Sequence, residues 1–332
     1  MTPPGPDRHA PVRVGVLGHS DIGRRRTLPA IAATPGMEAV CLASRDRGRA
    51  REAGRELGVE PVVGYGRLLE RDDVDAVYVP LPVMLHEEWV RRCLLHGKHV
   101  LVEKPLAPDA AAAESLVSLA ASLDLVLLEN HTFLRHAQLA RVRELLEEGA
   151  VGEVRALSAV FSIPPRPSDD IRYRPELGAG ALLDVGVYPL RITSHLLGPD
   201  LDVAGAVLRE DTSRGVVVSG AALLRAARGA TASVVFGMEH AYRAHFEVHG
   251  SEGILRAERQ FSTPDDHRPV LGLSRSGGHE EIVLEPDRQF ENTLAEFRDA
   301  VRGRSSAAAA MRDSVRQARL VDAVADRARG GS

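Results

Sequence analysis

The sequence predicts an α/β domain with a parallel sheet, followed by an α+β domain with a large, open, mainly antiparallel sheet. Three observations support this. Short apolar runs alternate with helical patterns up to residue 130, as in sheets covered by helices. Beyond that point, strand patterns follow one another without helices between them. A chain of 332 residues is long enough for two domains.

The first half carries five strand patterns, which cover residues 12–17, 37–43, 75–79, 100–102 and 125–128. The helical patterns between them include residues 46–57, 86–96 and 108–123. We expect Asp46 to cap the first of these helices and Gly58 to end it. Because ligands bind at the carboxyl ends of parallel strands, the residues that follow each strand are the candidates for a site.

The second half has strand patterns at residues 154–162, 201–208, 216–224, 231–236 and 245–249. A helix is predicted to carry Asp184 and Tyr188, which are four residues apart and would therefore share one helix face. Residues 314–325 form an amphipathic pattern that predicts a closing helix. The predicted organisation is a flexible leader over residues 1–11, a first domain over 12–130 and a second over 131–330.

Composition excludes several functional classes. The net charge is −4 without a basic stripe, so nucleic acid is not an expected partner. No apolar run approaches the roughly 20 residues that span a bilayer, and residues 1–10 lack a signal-peptide pattern, so we expect a cytoplasmic protein without membrane contact. The two cysteines, Cys41 and Cys93, lack a Cys-x-x-Cys partner, and we predict no metal site.

The turn after the first strand resembles the G-x-G-x-x-G dinucleotide fingerprint. It reads Gly18, His19, Ser20, Asp21, Ile22, Gly23. Serine replaces the second glycine, but it is small and its hydroxyl can donate to a phosphate, so we predict a modified pyrophosphate site. Arg24, Arg25 and Arg26 follow. They form either a solvated basic face or an electrostatic attractor for phosphates.

The end of the second strand predicts which dinucleotide binds. NAD-binding versions place an acid there to hold the ribose 2′-hydroxyl. Here Ser44 and Arg45 offer a hydroxyl donor and a guanidinium, which suit a 2′-phosphate. Asp46 is one position late and is better used as a helix cap. We therefore predict NADP(H), the alternative being that Arg45 is simply exposed.

The fourth strand leads into Glu103, Lys104 and Pro105. An ammonium at the carboxyl edge of the sheet can donate a proton or a hydrogen bond to a ketone oxygen that is becoming an alkoxide. Lys104 is therefore the candidate proton donor. Taken alone, Lys104 would be better explained as an ordinary surface lysine, because lysine is common at protein surfaces.

With these residues assembled, the chain resembles the glucose–fructose oxidoreductase/inositol dehydrogenase/rhizopine catabolism (Gfo/Idh/MocA) family. The resemblance rests on the strand-end pair Ser44-Arg45 and on the segments VGVLGHSDIG, VPLPVMLHEEWV, HVLVEKPLA and GALLDVGVYPL. It implies an N-terminal Rossmann dinucleotide-binding domain. Within the family, the chain is most similar to the nucleotide-sugar 3-ketoreductases. That similarity implies NADPH-dependent reduction of the C3 ketone of a dTDP-3,4-diketo-2,6-dideoxyhexose.

The resemblance also assigns catalytic roles. Lys104 matches the catalytic lysine, and Asp184 and Tyr188 match a D-x-G-x-H type motif in which many relatives carry histidine. A tyrosine hydroxyl, with a pKa of about 10, is a poor base at neutral pH, so it suits a reductase better than a dehydrogenase. We expect Lys104 or Tyr188 to protonate the ketone oxygen and Asp184 to orient the local network.

Further residues follow from the same resemblance. Glu103 is expected near the nicotinamide ribose, Lys104 in contact with the nicotinamide region, and Leu81, Pro82 and His86 along the cofactor. Arg172 is expected to reach the cofactor from the second domain, together with Asp184. The predicted substrate contacts are Arg25, Lys104, Tyr188, Tyr242 and Thr263, although Tyr242 is as compatible with a core position.

Two other functions stay open at this point. One is a free-sugar or inositol dehydrogenase that works in the oxidising direction, and the other is a non-catalytic dinucleotide sensor on the same fold. The intact Lys104 argues against the sensor. We also expect a homo-oligomer, a dimer or a tetramer, formed through the exposed face of the large sheet.

Overall fold

The computed structural model describes residues 10–178 and 180–330, so most of the predicted leader lies outside the described residues. The chain divides into two compact units. The first contains residues 10–107, 111–131 and 290–312; the second contains residues 108–110, 132–178, 180–289 and 313–330. Residues 290–312, which the sequence analysis assigns to the second domain, thus belong to the first unit.

The first unit is built on a six-stranded sheet whose strands all pair in parallel. Its order, β3-β2-β1-β4-β5-β6, is the strand order of dinucleotide-binding folds. The strands are β1 (Val12–Leu17), β2 (Met37–Ser44), β3 (Glu60–Val63), β4 (Ala76–Val79), β5 (His99–Val102) and β6 (Leu127–Glu129). The parallel sheet predicted from the sequence is confirmed, with one strand more than expected.

Strand β3 was not predicted because its sequence, EPVV, is short and contains Pro61. Proline removes a backbone donor and is tolerated on edge strands, and β3 is the edge of this sheet. Its pairing with β2 brings Val63 beside Ser44, the last residue of β2.

The helices have the following bounds: α1 (Leu28–Ala33), α2 (Arg47–Leu57), α3 (Tyr65–Leu69), α4 (His86–Leu95), α5 (Ala110–Ser122), α6 (Ala137–Glu147), α7 (Val187–Leu197), α8 (Gln289–Val301) and α9 (Ala308–Gly330). The cap predicted for α2 is confirmed: Oδ1 of Asp46 accepts the Arg49 amide at 2.7 Å. Gly58 ends α2 with a φ of 68°. Leu294 and Phe297 of α8 lie in the apolar core of the first unit, which explains why this late segment joins it.

The second unit contains an eight-stranded sheet in the order β14-β13-β12-β11-β7-β10-β9-β8. Only β7 and β10 pair in parallel, so the sheet is mainly antiparallel, as predicted. The strands are β7 (Val154–Ser162), β8 (Leu201–Asp211), β9 (Val216–Ala226), β10 (Thr231–Gly237), β11 (Arg243–Gly250), β12 (Gly253–Glu258), β13 (Val270–Arg275) and β14 (Gly278–Val283). Strands β12 to β14 were not predicted.

One face of this sheet is buried and the other is open. Along β10, Ala232, Val234 and Phe236 belong to the unit's apolar core, whereas the alternate residues are exposed. Helix α7 packs Val187, Leu190 and Ile192 into the same core. This alternation is the signature of a sheet that is covered on one side only.

Both cysteines are buried, unpaired thiols. Burial raises the pKa of Cys41 to about 11 and raises the pKa of Cys93 further. Within the described part of the chain, no helix is both long and apolar enough to cross a membrane.

Candidate active site

The turn after β1 requires its two glycines. Gly18 has a φ of +95°, and a Cβ there would lie 3.1 Å from the Leu81 side chain. A Cβ on Gly23 would lie 2.9 Å from Oγ of Ser20 and 3.3 Å from the Tyr78 ring. Gly18 thus permits the tight turn, and Gly23 permits the close approach of the following helical segment to β4, which are the roles of glycine in the fingerprint.

Ser20, which stands at the fingerprint's second glycine, begins that helical segment. Its Oγ accepts the Gly23 amide at 3.0 Å. Because the hydroxyl accepts in this contact, its proton can be donated to an anion. Residues 23–27 form a π-helical turn, an irregularity that is common at functional sites. Ile22 is 40% exposed, and Nε2 of His19 lies 3.5 Å from Glu56.

The arginines beside the turn are partly neutralised. Asp21 lies 3.2 Å from Arg24 and 3.3 Å from Arg25, and Arg24 also pairs with Glu56 at 3.2 Å. Arg25 is 65% exposed, so it can leave its carboxylate partner at little cost. Both interpretations of this basic segment, solvated face or phosphate attractor, are compatible with these contacts.

The end of β2 places two donors and no carboxylate where the ribose 2′ group is expected. Ser44 is buried, and its Oγ accepts the Asp46 amide at 3.3 Å. Arg45 follows and is exposed. Asp46 uses its carboxylate to cap α2. Together with the glycine turn, this donor set fits NADP(H). The end of β2 carries no acidic side chain that would repel the 2′-phosphate.

A buried hydrogen-bond chain fixes Glu103, which follows β5. Its Oε1 accepts from the Tyr78 hydroxyl and from Nδ2 of Asn130, both at 2.7 Å. The Tyr78 oxygen also lies 2.9 Å from the Thr27 hydroxyl. Burial and the nearby charge of Glu103 raise the pKa of Tyr78 well above its ordinary value, so Tyr78 stays a donor. Sequence reasoning missed Tyr78, Asn130 and Thr27.

The peptide bond between Lys104 and Pro105 is cis, and Lys104 itself is half-buried. The residues after it are held by side chains from elsewhere. The amide of Leu106 donates to Oε1 of Glu129 at 2.9 Å. Nδ1 of His86 lies 2.8 Å from the carbonyl oxygen of Pro105. We call residues 103–106 the lysine turn.

In the second unit, Arg172 and Asp184 form an ion pair. Nε of Arg172 donates to Oδ2 of Asp184 at 2.5 Å, and Nη1 lies 3.1 Å from Asp170. These two carboxylates, Asp184 foremost, raise the pKa of Arg172. Asp170 also accepts the Arg172 amide at 2.9 Å. The structure therefore brings together Arg172 and Asp184, which were both predicted as cofactor contacts.

The segment that carries Asp184 and Tyr188 is not the single regular helix predicted. Asp184 lies in a π-helical turn over Leu182–Gly186, and Tyr188 is the second residue of α7. A π-helical turn holds more residues than an α-helical turn. The α-helical spacing that would place Asp184 and Tyr188 on one helix face therefore does not apply across this segment. Gly186 packs on Phe236, with a Cβ position 3.2 Å from its ring, so close packing accompanies the irregular turn.

An aromatic cluster holds the ring of Tyr188. Its ring centroid lies 4.8 Å from Phe161 in a T-shaped arrangement, 5.7 Å from Phe133 and 5.9 Å from Phe261. Aromatic pairs at these separations stabilise the packing of the ring. Sequence reasoning did not find the three phenylalanines, because they are scattered over more than 120 residues of the chain.

The two remaining residues that are predicted to contact substrate lie in different surroundings. Tyr242 is 42% exposed, and its hydroxyl lies 2.6 Å from that of Ser262. Thr263 is 3% exposed, and its hydroxyl donates to the carbonyl oxygen of Arg259 at 2.7 Å. Their contacts with substrate stay predictions. No group of three or more potential metal ligands was found among residues 10–178 and 180–330.

Replacing Arg172 with glutamine should destabilise the second unit. Asp184 and Asp170 are largely shielded from solvent, with 15% and 19% exposure, and both would lose their cation. We expect a loss of about 1–3 kcal/mol, since a buried charged group left without its partner costs that much. The matched control is Arg174→Gln, because Arg174 pairs with the exposed Glu176. Equal melting temperatures for the two variants would contradict this prediction.

Comparison with known proteins identifies the family. The profile "Oxidoreductase family, NAD-binding Rossmann fold" matches residues 12–131, and the "GFO/IDH/MocA C-terminal domain" matches residues 139–256. The chain is 51% identical over 314 residues to the dTDP-3,4-didehydro-2,6-dideoxy-alpha-D-glucose 3-reductase of Streptomyces antibioticus, which covers 94% of this chain and 96% of that protein. It is 49% identical over 319 residues to the enzyme of the same name from Actinomadura kijaniata, with 96% of each covered.

A solved structure is similar to this chain over nearly its whole length. KijD10, a 3-ketoreductase from Actinomadura kijaniata crystallised with NADP and TDP-benzene, is 48% identical and superimposes with a TM-score of 0.93. The match covers 96% of this chain and 98% of that one. The predicted resemblance and the predicted fold class are confirmed. The chain belongs to the Gfo/Idh/MocA oxidoreductase family.

Proposed function

We propose that the chain is an NADPH-dependent 3-ketoreductase that acts on dTDP-3,4-didehydro-2,6-dideoxy-α-D-glucose, or on a close analogue of this nucleotide sugar. The observation that carries the proposal is its identity of 43–52% to four reductases of that name, over at least 94% of this chain. By contrast, a D-xylose 1-dehydrogenase of Haloferax volcanii is 31% identical.

The cofactor residues are those that fit a dinucleotide with a 2′-phosphate. The turn from Gly18 to Gly23 would hold the pyrophosphate, and Ser44 and Arg45 would bind the 2′-phosphate. When bound, the reduced nicotinamide supplies the hydride that the C3 carbon receives. Glu103, fixed by Tyr78 and Asn130, would accept a hydrogen bond from the nicotinamide ribose.

The chain's own contribution to the chemistry is the proton and its placement. As C3 becomes tetrahedral, negative charge develops on its oxygen, and Nζ of Lys104 or the hydroxyl of Tyr188 donates a proton there. Either donor loses one proton per turnover and recovers it from solvent. The aromatic cluster around Tyr188 keeps its ring in place, and the ion pair with Arg172 orients the Asp184 carboxylate.

The test is NADPH oxidation with enzymatically generated dTDP-3,4-didehydro-2,6-dideoxy-α-D-glucose, beside parallel reactions with NAD(P)⁺ and free hexoses, xylose or inositol. Turnover of the nucleotide sugar with no oxidation of free sugars supports the reductase. Oxidation of free sugars or inositol without turnover of the nucleotide sugar would establish the dehydrogenase instead. Tight NADPH binding without any turnover would point to a sensor.

We further propose that the open face of the large sheet joins copies of this chain. A row of paired apolar residues crosses four strands there: Val207 in β8, Ala221 in β9, Val235 in β10 and Val160 in β7. Val207 is 71% exposed, and neighbouring Leu223 is 51% exposed. A contiguous exposed apolar surface of this kind supports an interface with a second copy.

Leu223→Glu is expected to lower the oligomeric state, because it introduces a charge that a self-complementary interface would have to bury. Light scattering after size-exclusion chromatography measures the mass. Leu95→Glu, on the 63% exposed Leu95 of α4, is the control and should leave the mass unchanged. A wild-type chain that is monomeric at all concentrations would refute the interface.

In this proposal the enzyme works in the cytoplasm, where its two thiols stay reduced.

A further inference from the structure

We propose that His86 is a positioning residue for Lys104, and that it acts by tying the backbone of the lysine turn to the loop after β4. The inference rests on the proposed function, because it assigns Lys104 to the reaction. It replaces the direct cofactor contact that the family resemblance suggests for His86 with an indirect role.

Both ring nitrogens of His86 are engaged with backbone. Nδ1 lies 2.8 Å from the carbonyl oxygen of Pro105, and Nε2 lies 2.7 Å from the carbonyl oxygen of Leu81. The side chain is 1% exposed and is the first residue of α4. With both nitrogens occupied and the ring shielded, His86 has no polar atom left for a ligand. What it can do is link two segments that lie 24 residues apart in the sequence.

The number of hydrogen bonds that His86 donates to the two carbonyl oxygens depends on the charge state of its ring. A neutral imidazole donates from one nitrogen, and an imidazolium donates from both. Burial lowers the pKa of His86, while the two carbonyl oxygens and the carboxylates of Glu103 and Glu129 oppose that shift. At least one donated hydrogen bond therefore remains, in surroundings where such a bond is strong.

His86 restrains the lysine turn from α4. The Glu103 side chain is held by Tyr78 and Asn130, and the Leu106 amide is held by Glu129. Between these two fixed points, the Pro105 carbonyl is held by His86. Removing the imidazole would therefore loosen the backbone directly after Lys104. A displacement of about 1 Å in a catalytic group can lower a rate by about 10²-fold.

The test compares His86→Phe with His99→Phe. Phenylalanine fills the space of the ring but donates nothing. His99 is a suitable control because it also meets backbone, accepting the Val126 amide at 3.0 Å, but it lies at the opposite end of β5 from Lys104. We expect His86→Phe to lower kcat by about 10- to 100-fold and His99→Phe by less than about threefold. The NADPH affinity, read from quenching of Trp89, should change little in both.

A double-mutant cycle shows whether His86 acts through Lys104. In a Lys104→Ala background, single-turnover rates should fall by less than about threefold on adding His86→Phe, because the group being positioned is gone. An equal fall in both backgrounds would overturn the proposal, as would unchanged kcat in His86→Phe. If His86→Phe does not fold, His86→Leu, which also lacks a donor, takes its place in the same cycle.

A second readout needs no substrate. The chain has two lysines, Lys98 and Lys104, so reductive ¹³C-methylation gives two lysine signals, which Lys98→Arg assigns. We expect the Lys104 signal to shift or broaden in His86→Phe and to stay in place in His99→Phe; an unmoved signal would refute the inference. If the wild-type chain does not turn over the ketosugar but the Lys104 signal still moves in His86→Phe, only the proposed function would be refuted.

Discussion

Lys104→Ala is expected to lower kcat for ketone reduction by about 10²- to 10⁴-fold, the range over which a positioned proton donor contributes to catalysis. The affinity for NADPH should stay within about threefold of wild type, because the residues predicted to bind the pyrophosphate and the 2′-phosphate are untouched. Lys98→Ala is the matched control. Its ammonium donates to the backbone oxygens of Arg71 and Val74, so it should affect stability rather than turnover.

The same experiment decides between the two candidate proton donors. Tyr188→Phe keeps the ring in its aromatic cluster and removes only the hydroxyl. If Lys104 is the donor, Tyr188→Phe should retain most of the activity that Lys104→Ala loses. Comparable losses in both would mean that the two groups share the proton transfer. Full activity in Lys104→Ala would contradict the proposed mechanism.

Arg45→Glu should weaken NADPH binding by about 10²- to 10³-fold, since it removes charged hydrogen bonds worth about 1.5–3 kcal/mol and adds repulsion of the phosphate. NADH binding should change by less than about threefold, because the 2′-hydroxyl carries no charge. The remaining NADPH affinity should also depend less on salt than in wild type. Isothermal titration at two ionic strengths measures both effects.

Arg47→Glu is the control for this charge reversal. Arg47 is exposed, begins α2 and lies two residues further along the same segment. If NADPH affinity falls equally in both variants, the effect is a general one of local charge, and Arg45 does not contact the 2′-phosphate. An unchanged NADPH affinity in Arg45→Glu would contradict the predicted phosphate site.

Hydrophobic periodicity predicted the architecture well because the buried strands of the parallel sheet are apolar on both faces. Strands β4 and β5 are examples. Hydrophobic periodicity does not predict strands that lack this apolar pattern. Strand β14, with the sequence GHEEIV, is largely exposed at the edge of its sheet, so burial leaves no signal in it. The return of α8 to the first unit was also missed, since local patterns do not tell which core a helix joins.

In the candidate site, too, some residues could be predicted from local sequence patterns and others could not. Gly18, Ser44 and Lys104 lie at or just beyond the carboxyl ends of strands and were found by that rule. Their supports were missed, because Asn130 and Glu129 reach the lysine turn only through the neighbouring strand β6. Such contacts depend on strand order, which no single segment reveals. The roles of the predicted site residues stay predictions until the variants above are measured.

The measurement that tests the central claim most directly is the reaction of the nucleotide sugar with NADPH deuterated at the transferred position of C4. The account predicts a product one mass unit heavier, with the deuterium bonded to C3 of the hexose in the NMR spectrum. Deuterium at C4 of the sugar, or consumption of the ketosugar without deuterium transfer, would contradict it.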